Sequence, residues 1–302
     1  MELSVITRLK ITAVLTLGII VIGILAWPLV RPSDGFGTVT TYGRDIGFSD
    51  IVVLALLAFL MGLAAYFISW PYGREVGILA VPAGLCIWAG RSGEMAQLLR
   101  HNLSILQRHN VYSALRWEGF LWLAIIAFGF AGVVLARNMA PAKPKADIES
   151  EIGRFRIKNQ YLRAALSVLG SIVIARIFIG LLARNVTMSD FDLGHVLGQP
   201  AVAQVCFAVL FAFGFAAFLT KYLLNSSYIW PVVGTALLNL SAMTAAGRPG
   251  NLELLVENWP ASFYAGAAAS ILPLQMVAWG TLGSVIGFWL AIRYAYWKKH
   301  KS

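Results

Sequence analysis

Charge is what this sequence has least of. Asp, Glu, Lys and Arg make up 13% of its 302 residues, and only 14 residues are acidic. Soluble domains carry about a quarter charged residues, so a soluble globular fold is excluded. Cysteine is nearly absent too. Cys86 and Cys206 both fall in apolar stretches without Cys-x-x-Cys or Cys/His spacing, which excludes a disulfide framework and a zinc site and leaves two small buried apolar residues. His101 and His109 share one loop without a third ligand, so no metal site is expected. There is no G-x-S-x-G, no His-Glu-x-x-His, no phosphate-binding glycine loop and no pair of intramembrane aspartates. No catalytic residue and no cofactor are therefore assigned. Acids are also missing from the centres of the apolar stretches, with Asp50, Glu75 and Glu118 at edges, which disfavours proton coupling through a buried carboxylate.

What the chain has instead is apolar length. Hydrophobic residues reach 59% and the mean hydropathy is +0.73, with stretches of about 18 or more apolar residues, each able to cross a hydrocarbon core as a helix. Eight spans are expected, at 11–30, 51–70, 72–90, 118–137, 161–183, 201–224, 229–247 and 275–297. The third is the weakest, because "VGILAVPAGLCIWAG" is short and contains Pro82, and a re-entrant hairpin competes with it. The first follows Arg8 and Lys10 but is too long for a signal peptide and lacks a small-residue cleavage site, so a retained helix is expected. With eight spans and both termini cytoplasmic, 15 Lys and Arg residues lie inside, 8 outside, and Arg176 lies within a span. Without the third and seventh crossings the split becomes 12 against 11, and the cytoplasmic excess disappears. The net charge of +10 sits mostly in loops, where orientation and anionic lipid headgroups account for it; no nucleic-acid partner is implied.

The chain also repeats itself. "RLKITAVLTLGIIVIGILAWPLVR" from 8 matches "YLRAALSVLGSIVIARIFIGLLAR" from 161, "GLAAYF" at 62 answers "GFAAFL" at 214, Trp70-Pro71 answers Trp230-Pro231, and "AGRSGEM" at 89 answers "AGRPGNL" at 246. Such matches run in one order with offsets between 151 and 162. The reading is an all-α polytopic membrane protein, a tandem duplication of a four-helix unit (1–137 and 161–302) joined by a cytoplasmic linker, 138–160, with a surface helix from Asp147. Four crossings per half make the repeats parallel, related by an axis along the membrane normal.

Within this frame, proline after tryptophan suits a first helical turn, and Arg91 and Arg248 fall near helix C-termini, with Gly93 and Gly250 turning the chain in a left-handed conformation. Related by the axis, the two arginines could bind an anion in a shared vestibule. Arg176 lies about seven residues inside its span, opposite Gly23 in the first half. An arginine there costs ~2.5 kcal/mol or more, so it needs a route to the interface or a partner such as Asp190, Asp192 or Glu118. Gln204, Asn239, Ser241 and Thr244 are polar at depth. Gly283 and Gly287 have GxxxG spacing and mark a packing face. Residues 261–275 are expected to form an interfacial or re-entrant helix ending near Pro273, and "LSILQRHNVYSALR" a membrane-surface helix.

Two functions follow. Transport, or small-molecule and lipid handling, would place Asn239, Gln204 and Arg176 around a polar cavity between the halves, open to an anionic or lipid-like molecule. A non-catalytic subunit or scaffold, working with other membrane subunits, would instead have a dry, small-residue seam. An intramembrane enzyme acting on a lipid-linked anion, with Arg176, Arg91 and Arg248 as charge stabilisers, stands behind both.

Overall fold

The computed structural model describes residues 5–32, 37–42, 46–140, 159–190, 194–257 and 266–301. The chain is an integral membrane protein built from helices. Among the described residues seven helices are long and apolar enough to cross a membrane. They are α1 (Val5–Gly18, continued as a π-helix over Ile19–Leu25), α2 (Phe48–Ser69), α6 (Ile105–Met139), α7 (Gln160–Leu182), α8 (Val202–Leu224), α9 (Ile229–Ala246) and α11 (Pro273–Lys301). Between them lie the short helices α3 (Gly73–Val76), α4 (Ala80–Arg91), α5 (Met95–His101) and α10 (Pro249–Glu257).

The third expected span is the exception in length. Its apolar part, Gly77–Arg91, is shorter than the seven and is buried along Ala80–Leu85. The chain passes from a 3-10 turn, Gly77–Leu79, into α4 at Ala80. Pro82 therefore falls in a first α-helical turn, where its missing N–H breaks no helical bond.

Glycine sets the contacts, because lipid supplies no hydrophobic drive between helices and close backbone approach must replace it. A Cβ on Gly18 would lie 2.0 Å from the Ala80 carbonyl oxygen, which brings α1 and α4 together; between α9 and α7 a Cβ on Gly234 would lie 3.5 Å from Ser171 Cβ. A Cβ on Gly62 would lie 1.9 Å from the Gly129 oxygen, locking α2 on α6. A Cβ on Gly287 would lie 1.9 Å from the Gly214 oxygen, locking α8 on α11, so the Gly283/Gly287 face packs as its spacing suggests. Across the middle, α4 packs on α11, α9 on α6, and α6 on α11.

Two ends can be told apart. At one, which we call proximal, Lys10 Nζ donates to the Trp70 carbonyl, Tyr66 Oη donates to the Ala140 carbonyl at 2.7 Å, and Ile11 and Trp289 border one apolar cluster with Tyr66. At the distal end the Gly93 N–H donates to the Gly37 carbonyl at 3.2 Å, and the Arg91 guanidinium lies 5.6 Å from the Trp27 ring. Residues 73–91 thus run from one end to the other.

Several expectations change. The stretch expected as a surface helix is the first three turns of α6, capped by Ser104, whose Oγ accepts from the Gln107 N–H at 3.2 Å; no breaker separates it from the apolar part. Pro273 opens α11 instead of ending a helix, and Ala267–Ser270 is a 3-10 turn with Ala269 and Ser270 buried; residues 258–265 and the helix expected from Asp147 lie outside the described residues. Pro231 sits in the first turn of α9, whereas Pro71 lies in the turn before α3. Gly250 is helical, within α10. A short antiparallel hairpin, β1 (Val186–Asp190) with β2 (Gly194–Gly198), pairs Val186 with Gly198 and departs from a purely helical reading.

Candidate functional site: the distal polar layer

The repeated Ala-Gly-Arg segments both end their helices at the distal end. After Arg91 the Ser92 N–H donates to the Trp88 carbonyl at 2.7 Å, and Ser92 Oγ accepts from the Val39 N–H at 3.0 Å. After Ala246 the Gly247 N–H donates to the Met243 carbonyl, and the Gly247 carbonyl meets the His109 ring nitrogen at 3.0 Å. Each stop therefore anchors a neighbouring segment: the 37–42 loop on α4, and the first turns of α6 on α9.

Beneath Arg91 runs an aromatic chain. Trp27 lies 6.4 Å from Trp88, and Trp88 lies 6.4 Å from Trp122, edge to face. Trp122 Nε1 donates to Glu118 Oε1 at 2.9 Å, and Glu118 Oε2 accepts from Thr40 Oγ1 at 2.7 Å, the Thr41 N–H at 3.2 Å and Thr41 Oγ1 at 3.3 Å. Glu118 is only 2% exposed. A carboxylate removed from water is very costly unless donors replace its hydration, and four donors do so here. The result ties the α1–α2 connection to α6 and leaves the carboxylate oxygens already engaged.

A second polar chain crosses the layer. Tyr42 Oη donates to Asn102 Oδ1 at 3.1 Å, and the Asn102 carbonyl accepts from Arg108 Nε at 3.1 Å. Gln199, just past β2, accepts from the Ala96 N–H at 2.7 Å and donates to the Ser270 carbonyl at 3.1 Å, joining α5 to the turn before α11.

The five residues singled out from sequence do not converge. Arg91 is exposed over Trp27, and Arg248 is exposed at the start of the α9–α10 turn. Asn239, wholly buried in α9, donates through Nδ2 to the Leu115 carbonyl of α6 at 3.1 Å. Gln204 donates through Nε2 to the Leu182 carbonyl at 2.8 Å and so caps α7. Arg176 faces outward on α7. Of its suggested partners, Glu118 is taken by Thr40, Thr41 and Trp122, while the side chain of Asp190 and all of Asp192 lie outside the described residues. Ser241 Oγ donates to the Leu238 carbonyl at 2.9 Å. Among the described residues no group of three His, Cys, Asp or Glu is placed to hold a metal ion.

Sequence reasoning missed Gln275, whose Nε2 donates to the Ala89 carbonyl at 3.3 Å while Oε1 accepts from the Leu272 N–H. It also missed Tyr112 and Arg116 of α6, whose Oη and Nε are buried without a hydrogen-bond partner, as is Oδ1 of Asn239, which faces Leu115 of α6 from α9. Their signal was the four-residue spacing of Tyr112 and Arg116, which places them on one helical face. The chain matches no protein-family model, no curated protein and no solved structure.

Proposed function

We propose that this chain is a non-catalytic membrane subunit or scaffold, formed by two tandem copies of a four-helix unit (1–137 and 161–302). The copies stand the same way up about an axis along the membrane normal. Eight crossings, counting 73–91, place both termini and the 138–160 linker on the cytoplasmic side. Support for the repeat comes from matched crossings: α1 on α4 as α7 on α9, α2 on α6 as α8 on α11, and α4 on α11 as α9 on α6. The Lys and Arg distribution supports the orientation.

The observation that carries the role is what the seam between the halves does with its polar groups. Asn239 and Gln275, the amides best placed to line a passage, donate to backbone carbonyls of the other half at 3.1 and 3.3 Å. Around them stand Gly119, Leu115, Ala89, Met276 and Ala278. That is how a helix seam packs, and it favours holding partners in the bilayer over passing a solute.

To test the role, Cys86 and Cys206 are replaced by Ala in the full chain, and single cysteines at 239, 275 and 91 are exposed to a membrane-impermeant thiol reagent in nanodiscs. Position 91 is expected to react, and 239 and 275 to stay protected by about 100-fold. Labelling of 239 or 275 at the rate of 91 would establish a water path and overturn the scaffold reading.

A second reading has one observation in its favour. Tyr112 Oη, Arg116 Nε and Asn239 Oδ1 supply donors and an acceptor without partners, at the end where Arg91 and Arg248 are exposed. Handling of a small anionic or lipid-like molecule would enter there, and fast labelling of 239 with 275 protected is its signature.

A further inference from the structure

The outer face of α7 is apolar, with Leu169 60%, Val173 57% and Ile177 55% exposed. Into this face the sequence sets Arg176 and, eight residues on, Arg184 just past the helix end; both are exposed, and no described residue pairs with either. Midway lies Gly180, exposed, where an added Cβ would meet nothing within 4 Å. Positions 176 and 180 are spaced by four and lie on one line up the helix surface, and Arg184 follows two residues after the last helical residue, Leu182.

The chemistry of that line is specific. Arg176 sits about 9 Å below Leu182 at 1.5 Å per residue, and an unpaired guanidinium at that depth is costly. Its long side chain can climb toward the interface, and the missing side chain at 180 leaves its path open. Climbing brings it toward the helix end that Arg184 follows, so two positive charges approach one patch with no acid between them in sequence. The negative end of the helix dipole would oppose an anion here, but Gln204 already donates to the Leu182 carbonyl, and Arg184 stands over the end.

From this we infer that Arg176, Gly180 and Arg184 form a binding site for the phosphate of an anionic phospholipid in the distal leaflet, the two guanidinium groups gripping its oxygens above the open surface of Gly180. Planar guanidinium forks match phosphate oxygens in pairs, and the flanking Leu169, Val173 and Ile177 take the acyl chains. The site is independent of the role proposed for the seam between the halves.

The test uses the full chain purified in neutral detergent, with native mass spectrometry counting retained phosphatidylglycerol against phosphatidylcholine. The wild type is expected to retain phosphatidylglycerol preferentially, and R176Q and R184Q each to lower that preference about fivefold, the scale of one basic side chain at an anionic surface. G180L keeps both charges, occupies open space, and is expected to lower the preference as well. R163Q, at the other end of α7, is expected to change nothing. Unchanged preference in both R176Q and G180L overturns the inference. So does displacement of the lipid by millimolar inorganic phosphate, which would assign the site to a free anion. Thermal unfolding in phosphatidylcholine, unchanged in G180L, excludes a folding defect as the cause.

Discussion

Gln275 of α11 donates a hydrogen bond through Nε2 to the carbonyl of Ala89 in α4, 186 residues away in sequence, at 3.3 Å. Asn239 of α9 does the same to Leu115 of α6 at 3.1 Å. The α4–α11 and α6–α9 contacts each join residues before 140 to residues after 159, and each carries one buried amide on a backbone oxygen. Q275A and N239A are each expected to lower stability by ~0.5–1.5 kcal/mol, the scale of hydrogen bonds between membrane helices. The double variant should be additive, since the seams share no partner. Reversible unfolding in mixed micelles checks this, and a loss in the double variant far from the sum would mean that the seams form one network.

Glycine contacts make a sharper prediction. Gly62→Ala and Gly287→Ala place a Cβ about 1.9 Å from a backbone oxygen of the facing helix, so a helix must move. Each is expected to cost ~2–3 kcal/mol or more, in the range of overpacking. Gly170→Ala, where a Cβ meets nothing within 4 Å, is expected to be neutral or stabilising by up to ~1 kcal/mol through helix propensity. Comparable losses at 62 and 287 are expected because an added Cβ would meet a backbone oxygen at 1.9 Å in both, and the same unfolding assay ranks all three.

Glu118 anchors the α1–α2 connection. Glu118→Gln turns one acceptor into an amide donor that faces Thr40, Thr41 or Trp122, leaving a buried donor opposed to a donor. A loss of ~1–3 kcal/mol is expected. Hydrogen exchange at the Thr41 amide, which donates to Glu118 at 3.2 Å, should quicken with it, while exchange in α8 stays unchanged.

Trp88 Nε1 donates to the Gly23 carbonyl inside the π-helical part of α1 at 3.2 Å. Trp88→Phe keeps an aromatic ring but removes the donor and, at this fully buried position, leaves a cavity. A cost of ~2 kcal/mol or more is expected from the two effects together, with faster exchange over residues 19–25 reporting the lost hydrogen bond.

Much of this fold could be read from hydropathy and spacing. The span expected at 229–247 is Ile229–Ala246, and that at 201–224 is Val202–Leu224, because abrupt changes in polarity mark a helix that must bury its backbone in lipid. The unity of α6 was hidden, since a basic amphipathic stretch and an apolar one differ in environment but not in helical propensity. The Gly283/Gly287 face was legible from its four-residue spacing. The Glu118–Thr40 bond joins residues 78 apart, and no local pattern encodes such a pair. Asn239 and Gln204 were both expected at depth; Asn239 is buried in α9, whereas Gln204 lies in the first turn of α8 at the end of α7, and whether an amide lines a cavity or serves a carbonyl depends on the facing helix, which spacing along one chain leaves open. The repeated Ala-Gly-Arg segments now have a local meaning: each stops a helix at the distal end and anchors a neighbouring segment.

The account rests on two like-oriented four-helix copies, and the crossing made by residues 73–91 is its critical element. Impermeant thiol labelling of single cysteines at 70, 91, 140, 248 and 299 in sealed vesicles of known orientation tests it most directly. The prediction is that 70, 140 and 299 react from one side and 91 and 248 from the other. If 70 and 91 react from the same side, the first half has an odd number of crossings, and the parallel repeat is wrong.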